Sequence, residues 1–212
     1  MIRKKPLLTV YHRLFEAYGP QHWWPARTPF EVMVGAVLTQ NTAWTNVKRA
    51  ILNLEQAGCL DALSMVSLTQ EQLAELIRPS GYFNIKAKRL LNFVAWYLEC
   101  GGHKNLEATD TPELRGLLLA VNGVGPETAD DILLYAFERP VFVIDVYTRR
   151  LFTRLGLIGG DEDYETLRGA FESALDRDVP LYNEYHALIV RHAKEKCAWH
   201  QDCHHCRVEA PL

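Results

Sequence analysis

The chain has 212 residues, a formal net charge of −3 and 48% hydrophobic residues, which excludes a disordered protein and suffices for one domain or two small ones. No apolar run approaches the roughly 18 residues of a membrane span, and no apolar region of a signal peptide follows the charged N-terminus. The acidic balance argues against nonspecific coating of nucleic acid but permits a local basic face.

Apolar residues recur at helical spacing from the first third of the chain onward. Residues 33–38 and 47–54 carry two such faces, as expected for amphipathic helices. Thr69 is followed by Gln72 three positions later, which is the spacing of a capping box at a helix start. Asp110 precedes a first turn that contains a proline, so another helix should run from there to about residue 120.

The second half continues the helical pattern. Residues 129–137 place five apolar side chains on one face, and only residues 141–144 resemble a strand, a short one. We therefore predict an all-α protein.

Charge is distributed unevenly along the chain. Four cations and no acid lie in residues 78–91, and four cations face a single acid in residues 139–154. Seven acids lie in residues 161–178. Each cluster taken alone could be an ordinary solvated helix face.

A glycine-rich turn separates the helix that ends near residue 120 from the one that follows. Gly123 and Gly125 allow the backbone to approach another molecule closely, and Pro126 suits a first helical turn. Amides at that helix start carry partial positive charge and can receive a phosphate oxygen. The same glycines would also serve a plain turn between helices, so both interpretations stay open.

The segment Val121-Asn122-Gly123-Val124-Gly125 resembles the helix-hairpin-helix of the endonuclease III superfamily of DNA glycosylases. That family follows its hairpin with a loop and an aspartate, and Asp145 lies at the expected distance. The resemblance implies two lobes: a six-helix barrel at residues 27–138 that carries the hairpin, and a second helical lobe from residues 1–26 and 139–212. It makes Asp145 the catalytic residue, whereas an isolated aspartate there would be read as an N-cap.

The resemblance also implies a set of DNA contacts. Residues 35–42 match the family segment whose glutamine probes the duplex near the lesion. We therefore expect DNA-facing roles for these residues and for cations of the basic segments: Gln40, Asn41, Gly123, Val124, Gly125, Thr128, Lys86, Lys88 and Arg149.

One departure from the family pattern concerns the reaction. Bifunctional members carry a lysine two residues after the second hairpin glycine, and its amine forms a Schiff base with the sugar. Glu127 stands at that position here, and a carboxylate cannot form a Schiff base. We therefore predict a monofunctional enzyme that uses water, with a lysine from a distant segment as the open alternative.

Aromatic residues indicate the substrate. Trp23, Trp24 and Pro25, with Trp44 and the segment at residues 78–89, resemble the bacterial 3-methyladenine DNA glycosylase branch. The resemblance implies that they line a base pocket, to which Glu127 would add negative potential. Alkylated purines are cationic and should stack well on tryptophan. Two adjacent tryptophans could alternatively be core residues.

Three cysteines near the C-terminus, Cys197, Cys203 and Cys206, are spaced as C-x5-C-x2-C. Related enzymes place four cysteines here around a [4Fe-4S] cluster. Because the fourth cysteine is missing, three interpretations stay open: a cluster with another ligand such as a histidine, a zinc site, or a motif that binds nothing. Because the cysteines show no disulfide pattern, we expect the protein in a reducing cytoplasm. There it would associate with the bacterial nucleoid.

These features predict a monofunctional DNA glycosylase that excises alkylated purines of the 3-methyladenine type in base excision repair. Its partner would be double-stranded DNA containing damaged bases, bound by a monomer without membrane contact. Two alternatives remain: an endonuclease III-like glycosylase and AP lyase acting on oxidised pyrimidines, and a DNA-binding relative without catalysis.

Overall fold

A computed structural model describes residues 2–197 and residue 208. All regular structure within these residues is helical, which confirms the all-α class. The chain divides into two compact units, one formed by Met1–Pro25 with Pro140–Leu212 and the other by Ala26–Arg139. Over the described part of the chain, no helix combines the length and the apolar character needed to cross a membrane.

The first unit is built around a cluster of buried aromatic rings. Its elements are α1 (Lys4–Tyr18), α10 (Val146–Arg154), α11 (Tyr164–Ala174), α12 (Val179–His192) and a π-helical turn (Ala193–Cys197). The ring of Phe142 stacks on Phe171 at a centroid distance of 4.7 Å and meets Tyr182 edge-on at 5.2 Å. Such pairs add to the stability gained from burying their area, so they fix α11 and α12 against the segment that leads to α10.

That segment, residues 141–144, is not the strand that its composition suggested. All four side chains are buried, but the backbone has side-chain partners in place of a neighbouring strand. The amide of Phe142 donates to Glu172 Oε1 at 3.1 Å, and the amide of Ile144 donates to the Tyr164 hydroxyl at 3.4 Å. Buried amides need partners, and here α11 supplies them.

The second unit carries the remaining helices. They are α2 (Pro29–Leu38), α3 (Trp44–Gln56), α4 (Ala62–Val66), α5 (Gln70–Leu76), α6 (Phe83–Glu99), α7 (His103–Glu107), α8 (Thr111–Ala120) and α9 (Pro126–Ala136), with a 3-10 turn at Arg78–Ser80. Six of these helices have seven or more residues and two have five. Every residue of α2 from Phe30 onward is buried, so this helix forms the centre of the unit.

Two helix starts that the sequence predicted are confirmed. Thr69 and Gln72 form a reciprocal capping box at α5. The carboxylate of Asp110 accepts from the amide of Glu113 at 2.9 Å and caps α8. Both caps satisfy amides that have no partner inside the helix.

The acidic segment at residues 161–178 has structural roles. Asp163 and Asp178 cap α11 and α12 through the amides of Thr166 and Leu181. Glu172 forms ion pairs with Arg168 at 2.9 Å and with Arg177 at 3.5 Å. These acidic side chains therefore stabilise helices of the first unit, as caps and as partners in ion pairs.

Candidate active site

The glycine-rich turn joins α8 to α9 in a conformation that requires glycine. Gly123 has a φ of 101°, and a Cβ added there would lie 2.3 Å from Cγ of Arg89. Real Cβ atoms do not approach other atoms this closely, and L-residues rarely adopt this φ. The turn is therefore packed directly against α6.

At the start of α9, the residues expected to contact DNA offer mainly their backbone, beside the exposed side chains of Pro126 and Glu127. Gly125 is the N-cap in an extended conformation, with φ −94° and ψ 176°, and Pro126 opens the helix. Val124 and Thr128 are buried, with 6% and 5% of their surface exposed. Contacts of this turn with DNA would therefore be made by amides at the positive end of the helix dipole.

Gln40 lies against this turn. Its Nε2 donates to the carbonyl of Gly123 at 3.1 Å and to Oγ1 of Thr128 at 3.0 Å. Its Oε1 accepts from Nη1 of Arg89. The next residue, Asn41, is exposed and has a φ of 53°. The structure thus brings Gln40 together with Gly123 and Thr128 and leaves Asn41 facing solvent.

The two lysines expected to bind DNA differ. Lys88 is exposed, but only 1% of Lys86 is accessible. The ammonium of Lys86 donates to the carbonyls of Ser80 at 2.7 Å and Leu38 at 2.9 Å. Burial, with Arg89 nearby, lowers the pKa of Lys86 to about 8. The expected phosphate contact of Lys86 is therefore wrong, because its charge is used to hold the end of α2 and the 3-10 turn.

Asp145 begins α10 and is buried, with 6% of its surface exposed. Its Oδ1 accepts from the amide of Thr148 at 2.6 Å, and its Oδ2 lies 3.5 Å from Nε2 of His186 on α12. Desolvation alone would raise the pKa of Asp145, but His186 and Thr148 outweigh it and lower that pKa. Asp145 is thus both an N-cap and a buried carboxylate that stays ionised at neutral pH.

Two residues interact with Asp145 in a way that the sequence did not predict. His186 is buried, with 6% of its surface exposed. Lys194 places its Nζ 5.6 Å from the ring centroid of Tyr147; desolvation lowers the pKa of Lys194, and the charge of Asp145 opposes that change. Both lie far from Asp145 in sequence and outside any motif, so only the fold reveals them.

Arg149, on the same helix, is half-buried and donates from Nη1 to the carbonyl of Glu162 at 2.6 Å. It belongs to the first unit, as does Asp145. A contact with phosphate would use the remaining donors of its guanidinium.

The expected pocket residues fall on both units. Trp23 and Trp24 are half-exposed, with ring centroids 5.2 Å apart, and Pro25 is exposed; all three belong to the first unit. Trp44 is half-buried at the start of α3, and Glu127 is exposed in the first turn of α9, both in the second unit. Neither adjacent tryptophan is a fully buried core residue.

The cysteine motif lies largely outside the described residues. Cys197 ends the π-helical turn, and Cys203 and Cys206 belong to the part that is not described. In residues 2–197 and 208, no group of three or more His, Cys, Asp or Glu side chains could hold a metal ion. Val208, beyond the motif, is buried, and its carbonyl accepts from Arg13 of α1 at 3.1 Å.

Comparison with known proteins places these features in a family. Residues 34–177 match the HhH-GPD superfamily of base excision DNA repair proteins. A Methanocaldococcus jannaschii protein, provisionally named a DNA repair glycosylase, is 47% identical over 203 residues, which cover 94% of this chain and 92% of that protein. Endonuclease III of Sulfolobus acidocaldarius is 28% identical over 172 residues, covering 81% of this chain and 75% of that protein.

Solved structures give the same result. The Helicobacter pylori 3-methyladenine DNA glycosylase MagIII, bound to 1,N6-ethenoadenine, has a TM-score of 0.79 and 31% identity, covering 92% of this chain and 99% of that one. A non-covalent endonuclease III–DNA complex has a TM-score of 0.82 at 19% identity, covering 98% and 94%, and shares the fold. The chain therefore belongs to the HhH-GPD superfamily of base excision DNA repair proteins. It is a DNA N-glycosylase.

Proposed function

We propose that the protein is a monofunctional glycosylase that removes alkylated purines of the 3-methyladenine type from double-stranded DNA. The observation that carries the proposal is the buried, ionised carboxylate of Asp145 in a chain whose hairpin has Glu127 in place of the Schiff-base lysine. Such a site supplies negative charge without an amine nucleophile at that position.

The reaction follows from this charge. As the bond between C1′ and the purine nitrogen breaks, its electron pair neutralises the cationic base, and positive charge develops on the sugar. The carboxylate of Asp145 stabilises that charge. Water then bonds to C1′ and gives up a proton, with Asp145 orienting the water or accepting the proton. The products are an abasic site and a neutral alkylated purine.

DNA binding is proposed to use the backbone of the hairpin and nearby polar residues. The first turn of α9 would hold a phosphate, with Gly123, Val124, Gly125 and Thr128 contributing mainly through their backbone. Lys88 and Arg149 would contact further phosphates, and Gln40 and Asn41 would face the duplex near the lesion. A target base must leave the stack to be reached, at a cost of a few kcal/mol.

The substrate class rests on two observations. The rings of Trp23 and Trp24 are half-exposed and aromatic faces attract electron-poor bases, so we propose that these rings and Pro25 contact the base; the base-contacting roles expected of Trp44 and Glu127 remain predictions. A 31% identical solved structure is a 3-methyladenine glycosylase bound to 1,N6-ethenoadenine. Together these favour a cationic purine over an oxidised pyrimidine.

Identification of the released base tests the proposal. The protein would be incubated in parallel with methylated and with oxidised duplex DNA, and free bases would be separated and identified by mass. We expect 3-methyladenine from the methylated DNA. Release of oxidised pyrimidines alone would support the endonuclease III-like alternative, and release of no base from either would support the non-catalytic one.

A lyase activity is the second candidate, because Lys194 interacts electrostatically with Asp145 and could supply an amine from outside the hairpin. Borohydride reduces a Schiff base to a stable adduct, so trapping with an abasic duplex detects it. We expect no adduct. An adduct that disappears in Lys194→Ala would establish the lyase and contradict a monofunctional enzyme.

For the cysteine motif we propose a [4Fe-4S] cluster held by Cys197, Cys203 and Cys206 with a fourth, non-cysteine ligand. Thiolates suit iron–sulfur and zinc sites alike. The burial of Val208 and its bond to Arg13 indicate that the chain beyond the motif returns to α1, which fits a structural role. Iron and zinc analysis with a visible spectrum tests this; zinc without iron, or neither metal, would contradict the cluster.

A further inference from the structure

His186 is placed where it can act on the proposed catalytic carboxylate. It lies on the interior of α12 with 6% of its surface exposed, and its Nε2 is 3.5 Å from Oδ2 of Asp145. The helix α12 packs against α10, the helix that Asp145 caps. His186 belongs to no sequence motif and is not among the expected pocket residues.

The two oxygens of Asp145 have different partners. Oδ1 accepts from the amide of Thr148 at 2.6 Å, which is an ordinary N-cap bond. A contact to one oxygen alone restricts the orientation of the carboxylate less than contacts to both oxygens. The imidazole of His186 approaches the other oxygen from a different helix, so the two contacts together define the plane of the carboxylate.

The negative charge of the buried Asp145 carboxylate must be stabilised by its neighbours. A buried carboxylic acid favours its neutral form because burial removes the water that stabilises the charge. A neutral acid could not stabilise a positively charged sugar. His186 and Thr148 oppose this effect and lower the pKa of Asp145. Thr148 acts through its backbone amide and its side chain, but the effect of His186 on the pKa of Asp145 is larger than either, so His186 is the side chain to change in a test.

The distance is also informative. A charge-assisted N–H···O bond is typically about 2.7–2.9 Å long, whereas the Nε2–Oδ2 distance is 3.5 Å. Catalytic hydrogen bonds are often long in the absence of substrate and shorten in the complex. At this distance the imidazole of His186 supports the negative charge through electrostatic attraction rather than through a short hydrogen bond.

We propose that His186 is a positioning residue that orients Oδ2 of Asp145 and keeps the carboxylate anionic for the glycosylase reaction. The catalytic part of this inference rests on the proposed function. Its electrostatic part concerns only Asp145 and His186 and can be tested without substrate.

The substrate-free experiment follows the titration of the Asp145 carboxyl carbon by 13C NMR. We compare the wild type with His186→Leu, which removes the donor, and with His186→Gln, whose Nε2 can replace it. Without a donor, burial dominates, so the pKa of Asp145 should rise in the leucine variant and fall back in the glutamine variant. The charge of Asp145 acts to raise the pKa of Lys194 on the π-helical turn, and Lys194 is unchanged in all three proteins.

The reciprocal measurement does not depend on the folding of the leucine variant. Asp145→Asn keeps an acceptor for the Thr148 amide, since asparagine is a good N-cap, but it removes the negative charge. The histidine titration of His186 should therefore move to lower pH in this variant. An unchanged titration of both partners would overturn the proposal.

Kinetics test the catalytic part. Under single-turnover conditions, His186→Leu should slow base release by about 10–100-fold, by analogy with the loss seen when a partner that orients a metal ligand is removed. DNA affinity should stay within about twofold. The acidic limb of the rate profile should move to higher pH, and His186→Gln should recover most of the rate.

The neighbouring Tyr185 supplies a matched control. It is fully buried on the same helix, and its hydroxyl donates to the carbonyl of Leu7 at 2.7 Å. Tyr185→Phe should reduce stability without changing the rate of folded protein. If His186→Leu behaved the same way, His186 would be a packing residue and the proposal would be wrong. If the wild type released no base while the titrations moved as expected, the proposed function alone would fail.

Discussion

Two helix starts, those of α9 and α10, have almost the same backbone and opposite chemistry. The N-cap of α9 is Gly125 with φ −94° and ψ 176°, and the N-cap of α10 is Asp145 with φ −92° and ψ 178°. Asp145 caps its own helix through the amide of Thr148, whereas Gly125 has no side chain with which to do so. One start is therefore suited to receive an anion, and the other already carries one.

This difference shows how a single backbone geometry can serve both binding and catalysis. A helix start favours negative charge whatever its source. At α9 we propose that a DNA phosphate supplies it, and at α10 the carboxylate of Asp145 does. Because the positive end of the α10 dipole and the Thr148 amide favour the ionised form of Asp145, the fold itself helps to keep the proposed catalytic group charged.

The largest effect should come from removing the charge at α10 while keeping the cap. We expect Asp145→Asn to slow base release by about 10²–10⁴-fold, with folding and DNA binding retained. Single-turnover base release and DNA titration measure the two quantities. Asp163→Asn is the matched control, because Asp163 caps α11 in the same manner and should leave the rate unchanged. Equal rates for both variants would remove Asp145 from the chemistry.

A smaller effect should come from disturbing the turn before α9. Gly123→Ala forces a left-handed φ on alanine and a clash with Arg89, which should cost about 1–3 kcal/mol of unfolding free energy and weaken DNA binding. Gly116→Ala is the control, since an added Cβ there meets nothing within 4 Å and alanine favours an exposed helix. Denaturant unfolding should give a lower stability for Gly123→Ala than for Gly116→Ala. Equal stability would contradict the requirement for glycine at position 123.

The smallest effect on DNA binding should come from substituting the exposed Lys88 of α6, and the buried Lys86 of the same helix should affect stability instead. Lys88→Ala should reduce the salt dependence of DNA binding by about one phosphate contact without changing stability. Lys86→Met should instead lose about 1–3 kcal/mol of stability by leaving two buried carbonyls without their donor, and it should keep the salt dependence. Salt titrations of DNA binding and denaturant unfolding test both, and the reverse pattern would contradict the described burial of Lys86.

The sequence predicted those features whose cause is local. The capping box of Thr69, the cap of Asp110 and the all-α class follow from residue types within one or two helical turns, and the structure confirms them. The turn at Gly123 and Gly125 could be predicted for the same reason. Asp145, as a candidate, needed both its local capping pattern and a family resemblance.

Features that depend on tertiary packing were not predictable. Lys86 and Lys88 look alike in sequence, but helical periodicity turns one toward the carbonyls of Leu38 and Ser80 and the other toward solvent. Residues 141–144 have strand-like composition, yet side chains of α11 accept from the amides of Phe142 and Ile144. His186 reaches Asp145 only because α12 packs on α10.

The central claim is that Asp145 promotes hydrolysis and that no amine cleaves the strand. An end-labelled duplex with one cationic alkylated purine, such as 7-methylguanine, tests this in a single-turnover reaction analysed before and after mild alkali. We predict that the strand stays intact until alkali cleaves it at the new abasic site, and that Asp145→Asn leaves it intact throughout. Strand cleavage before alkali, or full activity of the Asp145→Asn variant, would contradict the account.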